Sequence, residues 1–281
     1  MFQQKKLKDW ADSYWNQIKR NIGIITINQQ EMIRKTKIAI FGVGGLGGPL
    51  TEQLIRSGSE NIVICDNDKF EESNLNRQTC TRNDLGDFKV DKVEKFITLI
   101  NPNIIINKFY EINENNIDLI LKDVKIAALT LDDPLVSILI SRECLKREIP
   151  LIESYAVPCL FSWWFTTDSI NYEAFYKLPT ESMSYKEILE SPKIQKQIRE
   201  TILAKLVKFP NIKDFYVREG NLLDAMLSGD YPLVSLAPIV RISASYLAFE
   251  IIFSGILNTK HKILAPKIIG FDYIKMQVFK L

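Results

Sequence analysis

The sequence predicts an α/β protein with a doubly wound, mainly parallel, Rossmann-like sheet and helices on both faces. Three observations lead there. Short apolar runs alternate with amphipathic stretches through the first half of the chain. A glycine-rich turn joins the first apolar run to the stretch after it, and prolines or glycines punctuate the later boundaries. Residues 5–35 read as a polar helical arm, with Trp10, Tyr14 and Ile18 recurring on one face. Residues 37–41 read as a buried strand, 42–48 as the turn, 49–58 as a helix, and 61–65 as a second strand ending at Asp66. Strand, glycine turn, helix and strand make a βαβ crossover.

The alternation continues with a helix over 89–100, stopped by Asn101-Pro102, and a strand over 104–109. A strand over 125–131, a helix over 135–147 and a strand opening at Leu151 and Ile152 follow. The second half changes character. Residues 160–166 form an aromatic strand, expected to be core, or else a hydrophobic floor for a peptide. Residues 184–229 form a polar helical insertion, expected as a solvated surface with a lid as the alternative. An apolar helix over 236–257 precedes two closing strands over 267–281, an antiparallel extension around Gly270, and the two halves are expected to share one sheet.

A chain of 281 residues buries about three quarters of the surface its unfolded form exposes, enough for a core without disulfides or metals. Hydrophobic residues at 46% and charged residues at 25% are ordinary for a globular protein. A net charge of +2 supplies no broad attraction to nucleic acid or membrane. Cys65, Cys80, Cys144 and Cys159 form no C-x-x-C pair, and His261 stands alone between two lysines, so no structural zinc is expected. The opening residues lack the apolar segment of a secretory signal, and Arg241 and Glu250 interrupt the apolar stretch 233–257. Reduced thiols, no membrane span and a cytoplasmic location are the expectations.

Gly42, Gly44 and Gly47 fit G-x-G-x-x-G between a strand and a helix, with Gly45 between them. The first glycine permits the tight turn, the second lets backbone approach a phosphate, and the third lets the helix pack on the strand. The helix N-terminus offers free N–H groups to that phosphate. Asp66, at the end of the next strand, stands where a carboxylate reaches ribose hydroxyls. These features alone fit ATP or NAD. A cationic pair, Arg77 and Lys89, suits a triphosphate, because a guanidinium grips phosphate oxygens bidentately.

The ordered set of Gly-x-Gly-Gly-x-Gly, Asp66-Asn-Asp68, Ser73-Asn74-Leu-Asn-Arg77-Gln78 and Gly86-x-x-Lys89-Val resembles the ThiF/MoeB branch of the ubiquitin-activating-enzyme superfamily, over roughly residues 14–281. The resemblance implies an enzyme that binds ATP and magnesium and adenylates a carboxylate. It implies that Gly42, Gly44, Gly45, Gly47, Asp66, Asp68, Asn74, Arg77, Gln78 and Lys89 hold the nucleotide. Asp132 would hold magnesium, although Asp133 replaces the family's usual asparagine and Leu129 stands where relatives carry a second carboxylate. Arg20 would reach the triphosphate of a partner subunit, which implies a homodimer. Residues 1–36 are then an N-terminal arm, 37–156 the nucleotide-binding region and 157–281 the substrate and dimer region of a single domain, with residues 235–250 forming a helix that backs the active site.

Many relatives carry two zinc-binding C-x-x-C pairs and a reactive cysteine in the loop crossing the active site. Here no cysteine follows Cys159, and Cys80 is expected to pack behind the nucleotide. The chemistry is therefore expected to stop at the acyl-adenylate, or to pass it to a nucleophile on the substrate. The segment Asp132-Asp-Pro134 resembles that of members which mature peptide antibiotics, although the stretch before the first strand is too short for their added peptide-clamp domain. A peptide or small-molecule carboxylate in a natural-product pathway is the leading expectation. A ubiquitin-like sulfur carrier ending in Gly-Gly comes second. A carboxylate on modified tRNA, an NAD-dependent oxidoreductase and a non-catalytic scaffold half of a heterodimer are the remaining alternatives.

Overall fold

A computed structural model describes residues 6–216, 218–228 and 231–281. Lys5 and the residues at 217 and 229, which fall inside expected helices, lie outside the described residues. The arm is two helices rather than one, α1 (Asp12–Ile18) and α2 (Ile27–Lys35). Gly23, at φ +121°, breaks the run, and Thr26 restarts it with a capping box in which its hydroxyl accepts from the N–H of Gln29. Trp10, Tyr14 and Ile18 are all buried, as their spacing predicts. They fasten the arm: the Tyr14 hydroxyl donates to the carbonyl of Gly58 at 2.9 Å and accepts from Gln30 at 3.0 Å. The Trp10 indole donates to Glu31, whose carboxyl the Arg34 guanidinium holds down at about 2.

The main sheet contains β1 (Ile38–Phe41), β2 (Asn61–Cys65), β3 (Ile105–Phe109), β4 (Ile126–Leu129), β5 (Leu151–Glu153) and, further along the chain, β7 (Trp163–Phe165). Their order is β3-β2-β1-β4-β5-β7, parallel through β5 and antiparallel at β7. Ala39 and Phe41 point into one core and Ile38 and Ile40 into the other, so β1 is buried on both faces. That is why it reads as a continuous apolar run. Helices α3 (Gly47–Arg56) and α4 (Lys89–Ile100) cover one face. On the other lie α5 (Ile117–Ile120), α6 (Pro134–Lys146), α7 (Tyr172–Tyr176), α8 (Tyr185–Leu189), α9 (Pro192–Leu206) and α10 (Ile212–Tyr216). The chain runs outward from β1 to β2 and β3, then returns to β4 on the opposite side. This switch opens a crevice at the carboxyl ends of β1 and β4.

Three expectations need correction. The aromatic run 160–166 is two strands, because the chain changes sheets at Ser162. Leu160–Phe161 (β6) pairs with β8 (Ile269–Asp272), while β7 pairs with β5. Among the described residues of the second half, only β7 joins the main sheet. Strands β8 and β9 (Gln277–Lys280) build a separate antiparallel sheet with β6. The helical stretch 184–229, which also includes α11 (Leu222–Ser228), is not simply a solvated surface. Lys193, Lys196, Arg199 and Glu200 of α9 face solvent, but Ile198, Ile202 and Leu206 are buried.

The apolar helix begins as α12 (Ala237–Phe249) and continues as a π-helical stretch, Glu250–Ile256. Ala237–Ile256 has the length and composition to cross a membrane, yet 56% of its 18-residue apolar window is buried inside the protein. It packs on α3, and Gly255 lets it approach the sheet, where a Cβ would come within 2.8 Å of Ile126 and Trp164.

Glu153 is among the ionisable side chains buried in the protein. Glu153, at the end of β5, accepts hydrogen bonds from Tyr176 (2.9 Å), Trp163 (3.0 Å) and Tyr155 (3.1 Å). Burial outweighs these bonds and pushes its carboxyl from 4.5 up to about 7. Between those values the folded chain holds a proton that the unfolded chain releases. Stability from this group is complete below the lower value and falls as pH rises through the upper one. Thermal melts between pH 4.5 and 7.5 should therefore show the wild type losing melting temperature relative to Glu153→Gln as pH rises. Parallel curves for the two proteins would refute this account.

Candidate active site

The glycine turn is shaped by what touches it. Gly42 leaves β1 at φ +91°, and a Cβ there would lie 2.8 Å from the Leu131 backbone. A Cβ on Gly47 would sit 1.7 Å from the carbonyl oxygen of Gly42, so α3 begins in direct contact with the turn. The Thr130 hydroxyl lies 2.9 and 2.7 Å from the carbonyl oxygens of Phe41 and Gly42, tying the turn to the end of β4. Thr130 was not singled out from the sequence. Its signal was its place one residue before Leu131-Asp132 at a strand's carboxyl end.

Asp66 holds the turn from the β2 side. It accepts from the N–H of Val43 at 2.8 Å and from that of Asp68 at 2.9 Å. Burial raises its carboxyl pKa, with Lys89 and the two backbone donors opposing the rise. Lys89, the first residue of α4, is buried and pairs with Asp68 at 2.7 Å. Its amine would lie 3.6 Å from a Cβ on Gly44, and the Arg77 Nε equally far from one on Gly45. Both cations thus stand over the two glycines whose missing side chains leave the backbone open. Arg77 donates to the Ser73 carbonyl at 2.9 Å and the Asn76 side chain at 2.8 Å. Gln78 is buried beside Gly44 and its Oε1 has no hydrogen-bond partner among the described residues. A buried acceptor left unpaired is costly and marks a place for a ligand donor. Asn74 also faces the crevice, although its side-chain oxygen accepts from the Glu71 N–H.

These groups line a cavity of about 730 Å3 that contains Gly42, Gly44, Gly45, Asp66, Asp68, Asn74, Arg77, Gln78, Lys89 and Asp132. Two sequence-predicted residues lie outside it. Gly47 packs beneath the turn, and Arg20 is exposed on the arm and does not line its own chain's cavity. At the rim, Asp133 caps α6 by accepting from the N–H groups of Leu135 (2.8 Å) and Val136 (3.3 Å). Asp132 is exposed and makes no hydrogen bond among the described residues, which leaves its carboxylate open toward the cavity.

The residues of the far wall were not singled out from the sequence, although a lid was the alternative for the stretch 184–229 that supplies them. Leu203 and Leu206 of α9 and Val207 just after it, with Ile212 and Tyr216 of α10, close the cavity with apolar surface. The signal was available in the apolar positions 198, 202 and 206, which recur at helical spacing within an otherwise polar stretch. Asn76 donates to the Ser235 carbonyl at 3.0 Å and so joins the basic loop to the segment leading into α12. Cys65 is the thiol on the cavity wall. Burial raises its pKa so far that it stays protonated and inert. Cys80 is half-buried, and burial raises its thiol as well.

The chain is similar to tRNA threonylcarbamoyladenosine dehydratase of Bacillus subtilis (strain 168), 36% identical over 145 residues, covering 50% of this chain and 56% of that protein. It is similar to ubiquitin-like modifier-activating enzyme 5 of Caenorhabditis elegans, 31% identical over 106 residues, 37% of this chain and 25% of that one. The chain spans about half or less of the length of these relatives. Among solved structures, selenomethionine PaaA superposes with a TM-score of 0.69 at 19% identity, over 98% of this chain and 84% of that one. E. coli MccB with AMPCPP and MccA superposes with a TM-score of 0.65 at 19% identity, over 96% and 73%. These likenesses establish the fold. The sequence matches the ThiF family over residues 18–281, a span that takes in the glycine turn, its basic pair and the apolar wall, and on that match the chain belongs to the ThiF family.

Proposed function

We propose that this protein is an adenylyltransferase that binds ATP against the glycine turn and adenylates the carboxylate of a peptide or small molecule, releasing pyrophosphate. One observation carries the reading. Among the described residues lining the cavity, Arg77 and Lys89 are the cationic side chains, and both stand over Gly44 and Gly45. A hydride-transfer site has no need of such a pair at its phosphate turn. That E. coli MccB has been crystallised with ATP supports the nucleotide assignment.

In the proposed reaction a carboxylate oxygen attacks the α-phosphorus, the bond to the bridging oxygen breaks, and its electrons leave with pyrophosphate. Backbone N–H groups of the turn and the start of α3 face the phosphates, and Arg77 and Lys89 balance the charge gathering on the leaving group. Lys89 exchanges or shares its Asp68 partner when phosphate arrives. Asp66 offers its remaining lone pairs to the ribose. Magnesium suits the rim, because it needs only one or two carboxylates beside phosphates and water, and Asp132 has no competing hydrogen bond while Asp133 is engaged as a cap. Held by Asp132, the ion would neutralise phosphate charge. With Cys65 protonated, the acyl-adenylate is handed to a nucleophile outside this chain. The site is completed by Arg20 from the second subunit of a homodimer, a reading supported by its exposure and by its not lining its own chain's cavity.

Carboxylate-dependent ATP–pyrophosphate exchange tests the reaction. Hydrogen bonds to charged groups are worth about 1.5–3 kcal/mol, so Lys89→Ala or Arg77→Ala should each lower kcat/KM by about 10- to 150-fold. Exchange unchanged in both variants would remove the basis of the assignment. For the shared site, Arg20→Ala mixed with Lys89→Ala should recover exchange that neither has alone, since each mixed dimer keeps one intact site. No recovery after confirmed subunit mixing would rule out action across the dimer, and full exchange by Arg20→Ala alone would place Arg20 outside the chemistry.

A further inference from the structure

The cavity has two chemically different ends. The end at the glycine turn is polar and carries both cations. The other is walled by Val157, Leu203, Leu206, Val207, Ile212 and Tyr216, and among the described lining residues it contains no cationic side chain. The two ends meet at the rim of β4. Leu131 and Val136, which flank Asp132 and Asp133, pack into the same apolar cluster as Leu203, Val207 and Tyr216. Residues Val43 and Leu46 of the glycine turn belong to the opposite cluster. An acyl group placed beside the α-phosphate near Asp132 therefore continues into the apolar end.

Resting on the adenylation reading above, we propose that this end selects a carboxylate borne next to an apolar side chain, as in a peptide ending in a leucine-like or phenylalanine-like residue. Three observations favour this over the alternatives. A tail ending in two glycines has no side chain to cover Leu203, Val207 and Tyr216, and would leave those walls against water. A second carboxylate on the reacting residue finds no cation in the chamber, because Arg77 and Lys89 are held at the phosphate end. Desolvating such a charge without a partner is strongly unfavourable. An apolar side chain meets neither obstacle, and its burial favours binding in proportion to the area covered.

The test compares four blocked tripeptides that differ only in the last residue, acetyl-Gly-Gly-X with X as leucine, phenylalanine, glycine or glutamate, in the exchange assay. Acetyl-leucine serves as a fifth probe that separates a free apolar acid from a peptide. The leucine and phenylalanine peptides should exceed the glycine and glutamate peptides by about 10- to 100-fold in kcat/KM. The same order is expected in calorimetric binding with a non-hydrolysable ATP analogue. Val207→Lys should collapse the leucine-to-glycine ratio toward one while ATP affinity, measured separately, is unchanged. Leu203→Glu is a second variant of the same wall, both positions being only partly buried. If the glycine peptide equals or exceeds the leucine peptide, or if both variants keep the wild-type ratio, the inference falls and the adenylation reading stands. If ATP binds but no probe supports exchange, both fall together.

Discussion

The first turn of α3 lies directly on the peptide that precedes it. With 1.7 Å between the carbonyl oxygen of Gly42 and the place a Cβ of Gly47 would occupy, only hydrogen fits there. Three strand ends then hold the turn: β1 feeds it, Asp66 after β2 accepts from Val43, and Thr130 after β4 contacts the carbonyls of Phe41 and Gly42. The positions of Arg77 and Lys89 have meaning only against this fixed backbone. Donors fixed before a ligand arrives need no reorganisation during reaction, which is where electrostatic catalysis gets its strength.

Loops and helices divide the remaining work. The basic loop and the start of α4 supply charge at one end of the cavity, while α9 and α10 supply apolar surface at the other. The Asn76 contact to Ser235 spans the two. Tyr155 belongs to both the cavity wall and the buried cluster around Glu153, so the wall is braced by hydrogen bonds from the core rather than by packing alone.

Much of the parallel sheet was legible because strands buried on both faces have continuous apolar sequences. The second strand and the helix at 89–100 have the bounds their sequences indicate. The glycine turn and its basic pair were legible for a different reason: each residue type there has a backbone or charge role that few others can fill. The change of sheet at Ser162 was not legible. Leu160 to Phe165 is apolar apart from Ser162, and pairing partners distant in sequence decide where it divides. The break in the arm was masked by its helical periodicity, although Gly23 and the Thr26-x-x-Gln29 box were signals of it. The apolar wall was hidden by composition, since Lys193, Lys196, Arg199, Glu200 and Lys205 are interleaved with the positions of α9 that face inward. At Asp132-Asp133 the sequence could not tell which carboxylate caps α6, because both residue types do so and one residue of backbone phase decides it.

The helix that runs past the cavity at Val240 and ends beside Trp164 changes its winding on the way, from α geometry to the wider π form over Glu250–Ile256. Each residue of an α-helix turns the face by about 100°, so an insertion or deletion in the α portion would swing Val240 and Arg241 away from their neighbours. Within the π portion the same change in length can be absorbed by tightening or loosening the coil, leaving both ends aimed as they are. The tolerance of this helix to length variation is therefore concentrated in its last two turns, far from the nucleotide loop, and homologous chains that differ in length here can keep the same cavity.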